Sequence, residues 1–186
     1  MFLLDKLFGR IRAAAPAAVA ASDSPEASDH ASAAPAPLGA APGTQIRHDP
    51  ALISTLKQDH AALLKIHSAI AAALDAGRFD AVRSRLDEFR SALMDHLLKE
   101  NVRLYVYLEH FLRQDEVSHR LMREFRHEMD DIGRVVVDFL GKYKDLGHRP
   151  ELARTFRQDF TAIGEALVNR IRREEEILYP MYLPAA

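Results

Sequence analysis

A histidine and a glutamate interrupt an otherwise apolar helical pattern in the middle of the chain. His96 and Glu100 are four residues apart in "MDHLLKENVRLYVYL", so both side chains lie on the same face of a helix. The apolar residues around them recur at spacings of three and four, which places both polar groups on the face that the helix buries. A buried, unpaired carboxylate costs several kcal/mol, so Glu100 must be protonated, paired with a cation or bound to a metal.

Two other predicted helices also carry polar residues within their apolar stripes. His60 lies in the stripe of the first helix, and Arg170 and Glu174 lie in that of the last. At a rise of about 1.5 Å per residue, these groups and the pair His96 and Glu100 can share one layer of an antiparallel bundle. Helical bundles build carboxylate-bridged di-iron sites from such side chains. Ligation by nitrogen and oxygen suits iron, manganese or zinc, and the residues leave the choice open.

Four amphipathic helices must position this layer. The apolar periodicity predicts helices over residues 49–76, 80–112, 116–144 and 150–180. Asp49 before Pro50 is a start signal for the first helix, and Gly77 is suited to end it. Because the connections are short, we predict an all-α fold, an antiparallel up-down-up-down four-helix bundle.

The third helix contributes no histidine to the predicted layer. Its apolar face places Phe125 or Met129 at the level of the other polar groups. His127 lies about 140° from the centre of that face and is expected to point outward or sideways. A shift of this helix would be needed to bring His127 in as a fifth ligand.

The N-terminal part of the chain has a different composition. We predict a short amphipathic segment at 1–12, an Ala/Pro-rich disordered linker at 13–48, and the helical domain at 49–183. The first segment, "MFLLDKLFGRIR", places apolar residues on one helical face and basic residues on other sides; the apolar ones are Leu3, Leu4, Leu7, Phe8 and Ile11. Such a segment suits a membrane surface or a protein partner, although a frayed terminus is the simpler interpretation.

The overall composition excludes several classes of function. The net charge of −2 argues against a general nucleic-acid-binding protein, which would be basic. The absence of cysteine excludes disulfides, cysteine-ligated zinc and iron–sulfur clusters. No apolar run reaches the length of a spanning helix. We therefore expect a cytoplasmic protein, with peripheral association with a membrane through residues 1–12 as the alternative.

Three motifs together resemble the hemerythrin-like, or HHE cation-binding, family. They are "QDHAAL" at 58–63, "HLLKENVRLY" at 96–105 and "RIRREEEILYP" at 170–180. The resemblance implies a four-helix bundle around a non-haem di-iron site. It also implies a function among oxygen carriers, oxygen or redox sensors, and proteins that help repair nitrosatively damaged iron–sulfur centres. Matched by position, the implied metal ligands are His60, His96, Glu100 and Glu174.

The chain departs from the family pattern at two positions. Arg170 stands where the family has a histidine, and Met129 aligns with another. The remaining four ligands make a plausible mononuclear set, so iron in a di-iron or a mononuclear site is one interpretation. The other is a chain with no metal, in which the guanidinium of Arg170 bridges Glu100 and Glu174 as the counter-charge.

The two interpretations predict different functions. A metal-binding bundle fits sensing of oxygen, nitric oxide or redox state, or a stress response, with the metal ion and a small diatomic molecule as ligands. A bundle without metal fits a regulatory or protein-interaction module. An enzyme is the least supported class, because no pairing of a nucleophile with a base is recognisable in the sequence.

Overall fold

The computed structural model describes residues 40–41, 43–146 and 148–182. The predicted segment at 1–12 and most of the predicted linker at 13–48 lie outside the described residues. Within the described part of the chain every regular element is helical and no strand occurs, as the all-α prediction requires. None of the helices in these ranges combines the length and the apolar character needed to cross a membrane.

Four long helical stretches form the domain, in agreement with a helical bundle. The α-helices are α1 (Leu52–Asp75), α2 (Phe79–Lys99), α3 (Val106–Phe111), α4 (Glu116–Lys142) and α5 (Ala153–Arg173). A π-helical segment, Glu100–Tyr105, joins α2 to α3, so these three form one continuous stretch. A second π-helical segment, Glu174–Leu178, continues α5. Short 3-10 turns at Pro150–Leu152 and Tyr179–Met181 flank the last stretch.

The two π-helical segments interrupt the predicted helices at two of the predicted metal ligands. Each begins at a buried glutamate, Glu100 in one stretch and Glu174 in the other. A π turn closes its hydrogen bonds between residues five apart and occurs mostly as a single-turn bulge within an α-helix, frequently at a functional site. The spacing of apolar residues in the sequence gave no sign of these bulges.

The ends of α1 follow from specific residues. The Asp49 carboxylate accepts a hydrogen bond of 2.9 Å from the Ala51 amide, although the regular helix begins only at Leu52, later than predicted. Gly77 ends the helix in a left-handed conformation with φ of 65°, as the sequence indicated. Its amide donates to the Leu74 carbonyl at 3.0 Å, which satisfies one of the terminal acceptors.

The core consists of two apolar clusters separated by a polar layer. One cluster contains Leu63, Leu97, Met129 and Ala166, and the other contains Leu56, Leu104, Phe125 and Leu178. The polar layer lies at the level where each long helical stretch passes from one cluster to the other. The buried polar and charged side chains of the described residues are His60, His96, Glu100, Arg170 and Glu174.

Gly164 allows α5 to approach α1 closely. A Cβ atom added there would lie 2.5 Å from His67 Nε2, and the His67 ring stacks on Phe160 with centroids 4.1 Å apart. We therefore expect Gly164→Ala to lower the free energy of unfolding by about 1–3 kcal/mol in urea denaturation. Gly141→Ala is the matched control, because a Cβ there meets nothing within 4 Å. In a chain that already carries His67→Ala, Gly164→Ala should cost little, because the ring that the new Cβ meets is gone. An equal cost of Gly164→Ala with and without His67 would contradict this explanation.

Candidate metal centre

Three side chains from three helical stretches converge in the polar layer. His60 comes from the middle of α1, His96 from the last turn of α2, and Glu174 from the start of the π segment after α5. One potential ligand atom from each lies within 4.8 Å of the others. His60 Nε2 is 3.1 Å from Glu174 Oε2, and the two imidazole centroids are 4.8 Å apart. The structure thus brings together three of the four predicted ligands as a group able to hold a cation.

Glu100, the fourth predicted ligand, lies in the same layer but outside this group. Its Oε1 accepts a hydrogen bond of 3.1 Å from the Tyr179 hydroxyl, which is also 3.1 Å from His60 Nε2. Its Oε2 is buried, has no hydrogen-bond partner among the described residues, and lies 3.9 Å from His96 Nε2. Burial raises the pKa of Glu100 well above its usual range, and the charge of Glu174 adds to the effect. The carboxylate therefore needs a further positive charge to ionise.

A carboxylate lies behind each imidazole, but only one of the two contacts is a hydrogen bond. His60 Nδ1 bonds Glu175 Oε1 at 2.9 Å. His96 Nδ1 is 3.6 Å from Asp59 Oδ2 and has no hydrogen-bond partner among the described residues. Both rings present Nε2 to the centre of the layer. A carboxylate or carbonyl behind the second ring nitrogen is the usual support of a metal-ligating histidine, since it fixes the ring orientation and the tautomer.

The two histidines differ in their preferred protonation. Burial lowers the pKa of His96 to about 4, so its ring is neutral and able to ligate. Burial alone would also lower the pKa of His60, but the hydrogen bonds to Glu174 and Glu175 outweigh it and raise that pKa. A cation in the layer would therefore compete with a proton for His60.

Arg170 is buried beside the group, with 4 % of its surface exposed. It donates hydrogen bonds to Glu174 Oε1, to the Tyr105 hydroxyl at 3.0 Å and to Glu128 Oε2 at 3.2 Å. The predicted contact with Glu174 is present, but the predicted bridge to Glu100 is not, because Tyr179 bonds that carboxylate instead. Burial would raise the pKa of Glu174, but the Arg170 charge and the hydrogen bond to His60 lower it overall.

The third long helix contributes no ligand in this conformation. Met129 occupies the core position with 4 % of its surface exposed, as predicted. His127 is exposed, so the interpretation that made it a fifth ligand is not supported. His67 is half-buried against Phe160, and its Nε2 has no hydrogen-bond partner among the described residues.

The sequence interpretation missed the side chains that support the histidines. Asp59 immediately precedes His60 in "QDH", which is the one signal that could have drawn attention to it. Glu175 lies in "RIRREEE", where only Glu174 matches the apolar stripe, so its position in the sequence indicates a charged surface. The π turn beginning at Glu174 changes the angular position of the following residue, so Glu175 reaches α1.

A small cavity adjoins the candidate ligands. Its volume is about 30 Å³, and His60, His96 and Glu174 form part of its wall. The remaining wall is largely apolar and includes Leu63, Phe89, Leu93, Met129, Ile132 and Ala166. A space of this size holds one or two molecules as small as water. It suits a diatomic molecule and is too small for a metabolite.

Comparison with known protein families identifies the fold of this region. The sequence profile of the hemerythrin HHE cation binding domain matches residues 51–182. That span is well over half of the chain and contains every residue of the candidate site. The comparison with curated proteins gave no match, and neither did the comparison with solved structures. The resemblance predicted from the three sequence motifs is confirmed.

Proposed function

Because the chain belongs to the hemerythrin HHE cation-binding domain family, we propose that it binds one iron ion through His60, His96 and Glu174. Glu100 is the fourth proposed ligand. Two imidazoles and a carboxylate are a ligand set that Fe(II) takes in non-haem proteins. A bound iron ion would supply a redox-active centre able to take a small ligand.

The orientation of the imidazoles carries this proposal. Nε2 of His60 and of His96 point at carboxylate oxygens in the centre, while Nδ1 of each ring faces Asp59 or Glu175. A network built only to satisfy Arg170 would not require the two rings to face one point. Nor would it leave a fully buried carboxylate oxygen of Glu100 without a hydrogen bond, which is costly unless a proton or a cation neutralises the carboxylate.

The charges around the layer favour one divalent ion over two. Each outer carboxylate faces a cation: Asp59 lies 2.9 Å from Lys99, Glu128 lies 2.6 Å from Arg173, and Glu175 lies 3.7 Å from Lys57. Lys99 also pairs with Asp95 at 2.8 Å, but Asp95 is 65 % exposed, so solvent screens its charge. What remains is the two carboxylates Glu100 and Glu174 against the one guanidinium of Arg170, a net of one negative charge when both are ionised. One divalent ion leaves a single positive charge, whereas a second would leave three, which a buried site does not tolerate.

We propose that the bound iron responds to oxygen, nitric oxide or redox state. The apolar cavity beside the ligands supports this, since it admits only very small molecules. The test is to add nitric oxide anaerobically to the Fe(II)-loaded chain and follow the visible absorption spectrum. Ala166→Leu, which fills the cavity, should slow the spectral change while leaving the iron content intact. No spectral change, or equal rates in the two chains, would contradict the proposal.

The Asp59 carboxylate, which lies behind the His96 ring, is expected to affect the metal affinity. Asp59→Asn should weaken metal binding about 10–100-fold, because the carboxylate that lies 3.6 Å from His96 Nδ1 loses its charge. Competition with a chelator of known affinity measures the effect. Asp75→Asn is the matched control, since Asp75 pairs with Arg157 at the exposed end of α1 and should not change the affinity. Equal affinities for the two variants would show that the Asp59 contact does not support a ligand.

A metal-free regulatory module is the second candidate function. It is favoured by one observation, the buried pairing of Arg170 with Glu174, in which the guanidinium supplies a positive charge. The two candidates differ in their response to iron. An ion that binds only the folded chain raises its melting temperature, and a module without a metal site shows no such rise. Scanning calorimetry with and without Fe(II) separates them.

We also propose the up-down-up-down order of the bundle. The order of residues within the two apolar clusters supports it. The first long helical stretch passes from the cluster with Leu56 to the cluster with Leu63, the second passes in the reverse sense, and the third and fourth repeat this alternation. Antiparallel neighbours with short connections have this arrangement.

A further inference from the structure

Large apolar side chains are exposed on α2 and α4. Met94, Leu98 and Val102 lie four residues apart along α2 and the π segment that follows it, with 36 %, 60 % and 47 % of their surface exposed. Val137 on α4 is 51 % exposed. Met94 and Val137 line one groove between the two helices, so exposed apolar surface of both helices meets there.

We call this groove between α2 and α4 the α2–α4 groove. Its volume is about 360 Å³. Met94 and Val137 line it, and Leu97, Met129 and Gly133 also contribute to its surface. Because Gly133 has no side chain, an apolar segment can lie close to the α4 backbone there.

The rim of the α2–α4 groove is acidic. Asp130 and Asp138 of α4 line it with one cation, Arg134, whose guanidinium pairs with Asp131. Within the described part of the chain, Asp130 and Asp138 take part in no ion pair of 4.0 Å or less. The groove therefore suits a partner that is apolar on one face and basic beside it.

We propose that residues 1–12 of the same chain dock in the α2–α4 groove. Leu4, Leu7, Phe8 and Ile11 have the i, i+3, i+4, i+7 spacing of an amphipathic helix that binds in a groove. The same segment carries three cationic side chains, Lys6, Arg10 and Arg12, against the single carboxylate of Asp5. Its charge is thus complementary to the acidic rim.

The connecting chain has the length that this docking requires. The described chain begins near the cluster that contains Leu112, against which Ile46 packs. From Leu112 to Leu98 the distance along the helix is about 21 Å. Residues 13–39 are 27 in number, and a coil of that length spans about 30 Å on average. A linker that matches the distance gives an effective concentration near millimolar, well above that of a second copy in dilute solution.

Docking there would place the segment next to the candidate site. Met129 lines the α2–α4 groove on one side and the cavity beside His60, His96 and Glu174 on the other. Only the Met129 side chain would then separate a docked segment from that cavity. The docking itself does not depend on whether a metal is bound.

Cysteine cross-linking of the full chain tests the proposal, because the chain has no cysteine of its own. Leu3→Cys, at the edge of the apolar face, is combined with Asn101→Cys, which lines the α2–α4 groove, or with Asn169→Cys, which lines a groove of about 580 Å³ beside α5. Under mild oxidation at micromolar concentration, the first pair should form an intramolecular disulfide about tenfold faster than the second, because docking raises its effective concentration.

Two exposed apolar residues provide matched substitutions on the cross-linking pair. Val137→Glu, in the α2–α4 groove, should remove the rate advantage, whereas Val168→Glu should preserve it. Val137 is 51 % and Val168 is 55 % exposed, so neither change should unfold the chain. Equal rates for the two cysteine pairs would overturn the proposal. Disulfide-linked dimers through Asn101→Cys, without the intramolecular product, would overturn it in favour of a second copy of the chain.

Discussion

His96→Ala is expected to abolish stoichiometric metal binding while the helical fold remains. His96 is buried and its ring is neutral, so Nε2, which faces the layer, is free of a proton's charge and able to bind a metal ion. Loss of a supporting carboxylate typically costs 10–100-fold in affinity, so loss of the ligand itself should exceed about 100-fold. Metal content after purification and chelator competition both measure the effect, and circular dichroism checks the fold.

His127→Ala is the matched control for that substitution. His127 is exposed on α4 and does not face the layer, so its removal should leave the metal content unchanged. A chain with His96→Ala that retains its metal would contradict the proposed ligand set. Loss of metal from the His127→Ala chain would instead mean that α4 moves to supply a ligand.

Arg170→Met is expected to destabilise the metal-free chain by about 3–5 kcal/mol, because it leaves buried carboxylates without their cation. Glu174 loses a hydrogen bond and an opposite charge, and Glu128 and Tyr105 lose a donor. Addition of the metal should recover part of this loss, since an ion beside Glu174 replaces the missing positive charge. Urea denaturation with and without Fe(II) gives both free energies of unfolding.

Arg157→Met provides the comparison for a surface ion pair. Arg157 and Asp75 are largely exposed, so breaking their contact should cost at most about 1 kcal/mol. An Arg170→Met chain as stable as the Arg157→Met chain would show that the buried network contributes little. Equal losses with and without Fe(II) would show that the ion does not interact with Glu174.

The sequence predicted the helices and the polar layer because both depend on periodicity. The three- and four-residue spacing of apolar side chains identifies the buried face directly, so His60, His96, Arg170 and Glu174 were all recognised as buried. The same reasoning placed Met129 inside and His127 outside.

The contacts among the buried groups could not be predicted in the same way. A π bulge does not change the composition of a helix, so the turns at Glu100 and Glu174 left no mark in the sequence. Arg170 has a long side chain with several donors, and its partners are decided by which groups the other helices bring near. The sequence therefore suggested Glu100 as a partner, where the structure has Tyr105 and Glu128.

The metal content of the purified full chain tests the central claim most directly. After expression in iron-rich medium, elemental analysis should give about one iron per chain, because the layer has the ligands and the charge for one divalent ion. Two irons per chain would mean that Arg170 and Met129 do not prevent the di-iron site that the resemblance implies. A chain that neither carries nor takes up iron would contradict the proposal. It would favour the metal-free module, in which Arg170 supplies the positive charge beside Glu174.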